Sequence, residues 1–314
     1  MKVPTNNPKP KRKPNMPFDV TGLSAYVANN SKAIALKAVA NATTAKLFIE
    51  NGAVQSGVKG SAAILKMDTD ANFQDGSSCG RTAVGNTTLT SKTITVKPIS
   101  DYQNVCPKSL HNTFFASMLA KGQAPEESFT PEFAAYLMDV RSKKIAAAVE
   151  VMLWNGDTAL TGTTNNKHIN GIMKQVGAGV ALTATGSTLI AKLQAAYLGM
   201  PVEVRQAEDA RIFIGEDKYA EYLVALANAN IYKATDDMVL FGTTIKLQPT
   251  AGLNGKNKIY IGRISNFQLG LDGESDMDSA ELRFSNETKQ WYLDYNFSVG
   301  VAVVDETEVG VASI

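Results

Sequence analysis

At 314 residues the chain can bury a large core and divide into about two structural units. Its formal net charge of +1 excludes a protein that binds polyanions with its whole surface, and two cysteines, Cys79 and Cys106, are too few for a disulfide scaffold or a zinc site. No apolar run approaches the roughly 20 residues of a membrane helix, and the first residues lack the apolar core of a secretory signal, so a soluble protein made and used without export is expected.

Residues 1–17 hold Lys2, Lys9, Lys11, Arg12 and Lys13 with five prolines and no acid. Such a segment cannot bury enough apolar surface to fold alone and reads as an arm that needs a neighbouring subunit or an acidic polymer to lie on. Ser31 to Ile49 has the pattern of a helix capped by Asn30 or Ser31 and ending near Asn51-Gly52. From Gly52 to about Lys108 the chain turns to Gly, Ser and Thr. Ser61–Met67 reads as an outgoing strand, Asp75-Gly76-Ser77-Ser78 and Gly85-Asn86 as turns, and Thr87–Ile99 as a threonine-rich return strand. A long two-stranded ribbon of this kind is marginal by itself and needs another surface to pack on.

Helical pattern resumes over Lys108–Lys121, with Leu110, Phe114, Phe115, Met118 and Leu119 as its apolar set. The most marked stretch follows. Thr130 suits an N-cap, Pro131 the first helical position, and Glu132 the positive end of the dipole, while Asn155-Gly156 suits a left-handed stop. Between them Ala134, Met138, Ile145, Val149 and Met152, flanked by Phe133 and Leu137, form one apolar stripe, and Asp139, Arg141, Ser142, Lys143 and Lys144 face elsewhere. The helix so defined is roughly 36 Å long, a strut across a flattened subunit.

Beyond a polar linker through Asn170, helix and strand alternate. Thr188–Leu198 is helical, Arg211–Ile214 is a short buried strand, and Gly215 turns it into a helix from Glu216 to about Ala229. Strands are expected at Met238–Phe241, Thr244–Leu247 and Lys258–Ile264. Finally Trp291, Leu293, Tyr295, Phe297, Val299, Val301 and Val303 alternate with Tyr292, Asp294, Asn296, Ser298 and Gly300, which predicts a strand with one buried face. Asn286-Glu287-Thr288-Lys289 joins it back to Ala280–Ser285.

This order of parts, with the stretches Arg211-Ile-Phe-Ile-Gly-Glu-Asp-Lys-Tyr, Asn266-Phe-Gln-Leu-Gly-Leu-Asp-Gly-Glu-Ser-Asp276 and Phe297-Ser-Val-Gly-Val-Ala-Val-Val, resembles the major capsid proteins of tailed bacteriophages. Their Hong Kong-type fold also serves encapsulin shells. The resemblance covers nearly the whole chain and implies an α+β fold in five parts. Residues 1–51 would be an N-terminal arm and helix, and 52–107 an extended β-ribbon loop. A peripheral domain would span 108–170 with its spine helix at 130–155, an axial α/β domain 171–264, and terminal β-strands returning to the peripheral domain 265–314. It implies a virion shell of hexamers and pentamers around double-stranded DNA, assembled in the host cytoplasm with portal and scaffold or decoration proteins, and no membrane, cofactor or metal. The arm residues Lys9, Lys11, Arg12 and Lys13 would meet a neighbour or the DNA. Lys92 and Lys97 lie in the corresponding ribbon, where some members cross-link a lysine to an asparagine of a neighbour; no motif here identifies that asparagine. No scaffold-like helical segment precedes the arm, which leaves assembly guidance to a separate protein or a propeptide. An encapsulin-like compartment and a surface adhesin are the alternatives.

Enzyme readings find little support. His111 falls in a packing helix and His168 in a polar linker, with no matching constellation. Gly252-Leu-Asn-Gly255-Lys256 lacks the spacing of a phosphate loop, and Gly177-Ala-Gly179 lacks the third glycine of a dinucleotide fingerprint. The acidic run Asp272-Gly-Glu274-Ser-Asp276-Met-Asp278 departs from a calcium loop and reads as a solvated turn.

Overall fold

The computed structural model describes residues 34–74, 84–110, 131–177, 179–231, 238–272 and 279–314. The basic arm, the turn at 75–78, His111 and most of the helix expected over 108–121 lie outside them, as does the acidic run after Asp272.

The first helix is not continuous. Residues 34–40 are helical, the chain bends at Asn41-Ala42, and α1 starts again at Thr43–Glu50. Ala42 is extended, with φ −65° and ψ 135°, and offers α1 no side-chain cap. The Thr44 N–H at the start of α1 is accepted instead by Glu150 of the long helix.

That long helix, α2, spans Pro131–Asn155. Its predicted stripe is buried, and Ala146, Glu150, Leu153 and Trp154 are buried too. The last three turns are therefore enclosed on most sides, with one face at Ala147 and Val151 left exposed, and they act as a pin between the packed elements. Gly156 does not stop the helix by a left-handed backbone, since it has no positive φ. It is glycine because Gly171 passes against it: the Gly171 N–H donates to the Gly156 carbonyl at 2.8 Å, and a Cβ on Gly156 would stand 2.5 Å from the Ile169 carbonyl oxygen.

Two sheets flank this pin. Strands of the first are β1 (Val54–Ser56), β4 (Lys97–Val105), β9 (Phe267–Leu271), β10 (Ser279–Ser285) and the 14-residue β11 (Gln290–Val303). β2 (Ser61–Thr69) and β3 (Thr87–Thr95) form the separate ribbon. β11 carries β10 and then β9 along one edge and β4 along the other. The second sheet has the order β5-β12-β8-β6-β7, where β5 is Val180–Leu182, β6 Ala210–Gly215, β7 Lys246–Thr250, β8 Lys258–Arg263 and β12 Gly310–Ser313.

Period-two alternation in the second sheet divides the interior into two cores. On β6 and β8, Ile212, Ile214, Ile259 and Ile261 face a core shared with Leu193 and Ala196 of α3 (Leu189–Gly199) and Tyr222 and Leu226 of α4 (Glu216–Asn228). Their neighbours Phe213 and Tyr260, paired in register, face the other way onto Trp154, with ring centroids 5.2 and 5.6 Å from it. Gly252 clears the other side of that indole, since a Cβ there would come within 2.7 Å of Trp154 Cγ. Gly252 thus serves packing, whereas Gly255 (φ +71°) has open space around it and serves a turn.

The α+β arrangement of ribbon, spine helix and inserted α/β layer is as the sequence predicts, and five further local expectations are corrected. The return strand of the ribbon ends at Thr95, and Lys97–Val105 is a separate strand of the first sheet, because Ile99, Asp101 and Gln103 pair with Phe297, Tyr295 and Leu293. Met238–Phe241 contributes one bridge, Val239 to Lys246, since Gly242 (φ +77°) turns the chain before a strand can extend, and the strand expected at Thr244–Leu247 runs from Lys246 to Thr250. β11 is buried on both faces at Ser298, Gly300 and Ala302, where the ribbon lies over it. Finally, Gly310–Ser313 does not stay with the strands around β11 but crosses into the second sheet between β5 and β8.

Candidate interaction surface

The ribbon is built of three zones that differ in what holds them. Its root is seated on glycine. Gly270 of β9 and Gly300 of β11 are cross-strand partners, and Thr95 and Val96 lie directly on them. A Cβ on Gly300 would overlap the Thr95 carbonyl oxygen, and one on Gly270 would stand 2.6 Å from Val96 Cγ2. A strand glycine often marks such a close approach of another backbone. Both glycines fall in the stretches that carry the capsid resemblance. Ile94, Val96, Val58 and Ala302 complete this small apolar core.

The middle zone is ionic. Antiparallel register places Ala62, Ile64 and Lys66 of β2 on one face with Lys92 and Ile94 of β3. Lys66 Nζ contacts Asp305 and lies 3.0 Å from Glu308, while Lys92 Nζ lies 2.7 Å from Glu306. These acids sit on the 3₁₀ turn Glu306–Glu308 and the residue before it, between β11 and β12. Arg263 of β8 also donates to Glu308. The hydrogen bond to Asp305 raises the Lys66 pKa. Burial would push the Asp305 carboxyl up, but Lys66 and Thr307 more than offset it and leave it lowered.

The outward face is open. Leu65, Met67 and Leu89 are 65 %, 68 % and 65 % exposed, with Met67 paired to Leu89 in register. Beyond them the strands are joined to each other, through Thr69 to Thr87 and Asp70 to Asn86.

Of the lysines singled out in the sequence, Lys92 lies in the ribbon and is engaged by Glu306, whereas Lys97 opens β4, exposed and in register with Val299. Lys9, Lys11, Arg12 and Lys13 lie outside the described residues. Sequence reasoning passed over Lys66, Arg263, Asp305 and Glu308, although the alternation of β2 carried a signal for Lys66.

A cavity of about 240 Å³ opens between α2 and β4, lined among others by Ile145, Val149, Met152, Phe297, Arg141 and His168. Arg141 donates to both Asp101 carboxylate oxygens, through Nε at 2.6 Å, and so joins helix to strand. No carboxylate or nucleophile is hydrogen-bonded to His168 among the described residues, and no group of three His, Cys, Asp or Glu there is placed to hold a metal ion. Asp272 is buried at the end of β9, and its Oδ1 has no partner among the described residues. No described helix is long and apolar enough to cross a membrane.

No family model matches the sequence, and no curated relative matches it by sequence. Solved structures do match by shape. A chain of the satellite phage P4 procapsid, which includes the size determination (Sid) protein, superposes with a TM-score of 0.58 at 10% identity, over 96% of this chain and 93% of that one. A chain from the capsid of an empty GTA particle gives 0.54 at 11% identity, over 98% and 95%. One from the capsid of cyanophage A-1(L) gives 0.52 at 13%, over 87% and 92%. The chain has the phage capsid fold. The glycine seat, the ribbon and the spine helix are this sequence's own means of building a capsid fold at such low identity.

Proposed function

We propose that the chain is a structural subunit that self-assembles into the icosahedral capsid enclosing the double-stranded DNA of a tailed bacteriophage. The observation that carries the proposal is the ribbon, a two-stranded projection whose outward Leu65, Met67 and Leu89 the described chain leaves uncovered. Two strands alone are marginal in water, and full burial of such side chains contributes roughly 1.5–3 kcal/mol each. A second copy supplies the covering surface, and a closed shell of hexamers and pentamers repeats the contact at every subunit. The near-zero net charge lets like surfaces lie side by side.

In this reading α2 and the sheet around β11 form the peripheral domain, and the second sheet with α3 and α4 forms the axial domain. The basic arm lies on a neighbour or on DNA phosphates, where its cations release condensed counterions. Portal and scaffold or decoration proteins complete the particle. The role is structural and not catalytic; the protein works in the virion capsid after assembly in the host cytoplasm.

Electron microscopy of the purified protein, alone and co-expressed with its genomic neighbours, tests this. Closed shells or capsomer rings are expected. A uniform monomer or dimer under every condition would overturn the reading.

A further inference from the structure

The ribbon's apolar root and its ionic middle respond to different conditions. Hydrophobic seating on Gly270 and Gly300 is not screened by salt, whereas ion pairs that remain partly exposed are. Lys66, Lys92 and Glu306 are between about one third and one half exposed, Asp305 and Glu308 less so. On the body side the cluster is closed by Arg263, which shares Glu308 with Lys66. Gly57 and Gly60 precede β2 with φ +71° and +84°, and Val96 separates β3 from β4, so both legs of the ribbon leave the body at a break in regular structure.

We propose that the Asp305–Glu308 turn is an ionic latch which holds the ribbon against the body, and that its release lets the ribbon pivot about the glycine seat without unfolding. Three features carry this. Cations from both ribbon strands converge on one four-residue turn. They stand on the face opposite Leu65, Met67 and Leu89, so the latch sets the direction in which that apolar face is presented. Outward of the latch, Thr69 bonds to Thr87 and Asp70 to Asn86, which join the two ribbon strands to each other. The turn also joins β11 to β12, and Arg263 closes β8, so the latch ties the ribbon's position to the link between the two sheets. Its use in assembly rests on the shell reading above, whereas the latch itself is a property of the single chain.

The test is a pulsed electron resonance distance between labels introduced through a noncanonical amino acid at Thr88 in the ribbon and Lys289 in the body, on the unassembled full chain. At low salt a single narrow distance is expected. It should broaden at about 1 M salt, where the screening length is about 3 Å, and in K66Q/K92Q at any salt. K92E alone should broaden it, and the swap K92E/E306K should restore it. A control variant, K46Q/K143Q, changes two lysines paired within their own helices and should leave the distance narrow. A distance that stays narrow in high salt and in K66Q/K92Q, or one that is broad in the unaltered chain at low salt, would overturn the latch. Neither result depends on whether shells form.

Discussion

The carboxylate of Glu150, 2 % exposed within the long helix, accepts the Thr44 backbone N–H at 2.7 Å and the Thr44 hydroxyl at 2.6 Å. It therefore does for α1 what a local N-cap residue does elsewhere, from a helix 106 positions away in sequence. Trp154, one turn further along, donates its Nε1–H to the same hydroxyl at 2.8 Å. The Thr44 hydroxyl is thus both donor and acceptor, and each carboxylate oxygen has its own donor.

Glu150→Gln should destabilise the chain by about 1–3 kcal/mol, because the amide offers one acceptor to two buried donors. Urea unfolding of the two proteins measures it. An undiminished midpoint would show that the carboxylate contributes nothing net.

The same pair predicts a pH dependence. Burial raises the Glu150 pKa above its ordinary 4.5, and the Thr44 bonds only partly offset this. A carboxyl that binds its proton more tightly when folded contributes stability that is full below the unfolded value and is lost as pH rises through the folded one. The stability difference between the native chain and E150Q should therefore shrink as pH climbs from that ordinary value towards neutrality. A difference that grows over this interval would show that the hydrogen bonds outweigh burial.

Gly300→Ala should be the more damaging of two changes in the ribbon's seat. Its methyl would strike the Thr95 backbone, which cannot step aside, whereas that of Gly270→Ala meets the side-chain ends of Val96 and Ile94. Overpacking of the second kind costs about 1–3 kcal/mol, and G300A should exceed G270A. Equal unfolding midpoints would refute the ranking.

Replacing Leu65, Met67 and Leu89 together by serine should alter monomer stability by no more than about 0.5 kcal/mol per site, while shells fail to close. Removal of residues 2–17 should likewise leave a folded subunit and impair closure. Sedimentation and microscopy of the variants read both, and normal shells from either would remove the segment concerned from the assembly contacts.

Elements with a long, regular period were legible before any coordinates. The stripe from Ala134 to Met152 and the alternation from Trp291 to Val303 locate the pin and the main strand, since each pattern matches only one backbone geometry. What stayed hidden depends on partners distant in sequence. Nothing near Glu150 indicates that a helix beginning at Thr43 lacks a cap, and nothing near Gly300 names Thr95 as the backbone that needs the space. Lys66 and Lys92 could be assigned to a common face, but the acids opposite them follow β11, more than two hundred positions later. Gly310–Ser313 is too short to reveal by pattern which sheet it joins.

That last strand has a consequence for how the protein is made. β12 lies between β5 and β8, yet it follows both in the chain, so on the ribosome the second sheet keeps a vacant slot until almost every other described residue has been synthesised. A chain interrupted upstream of Gly310 leaves β5 unpaired and the edge of β8 bare, an open template for pairing with another chain until the last residues arrive.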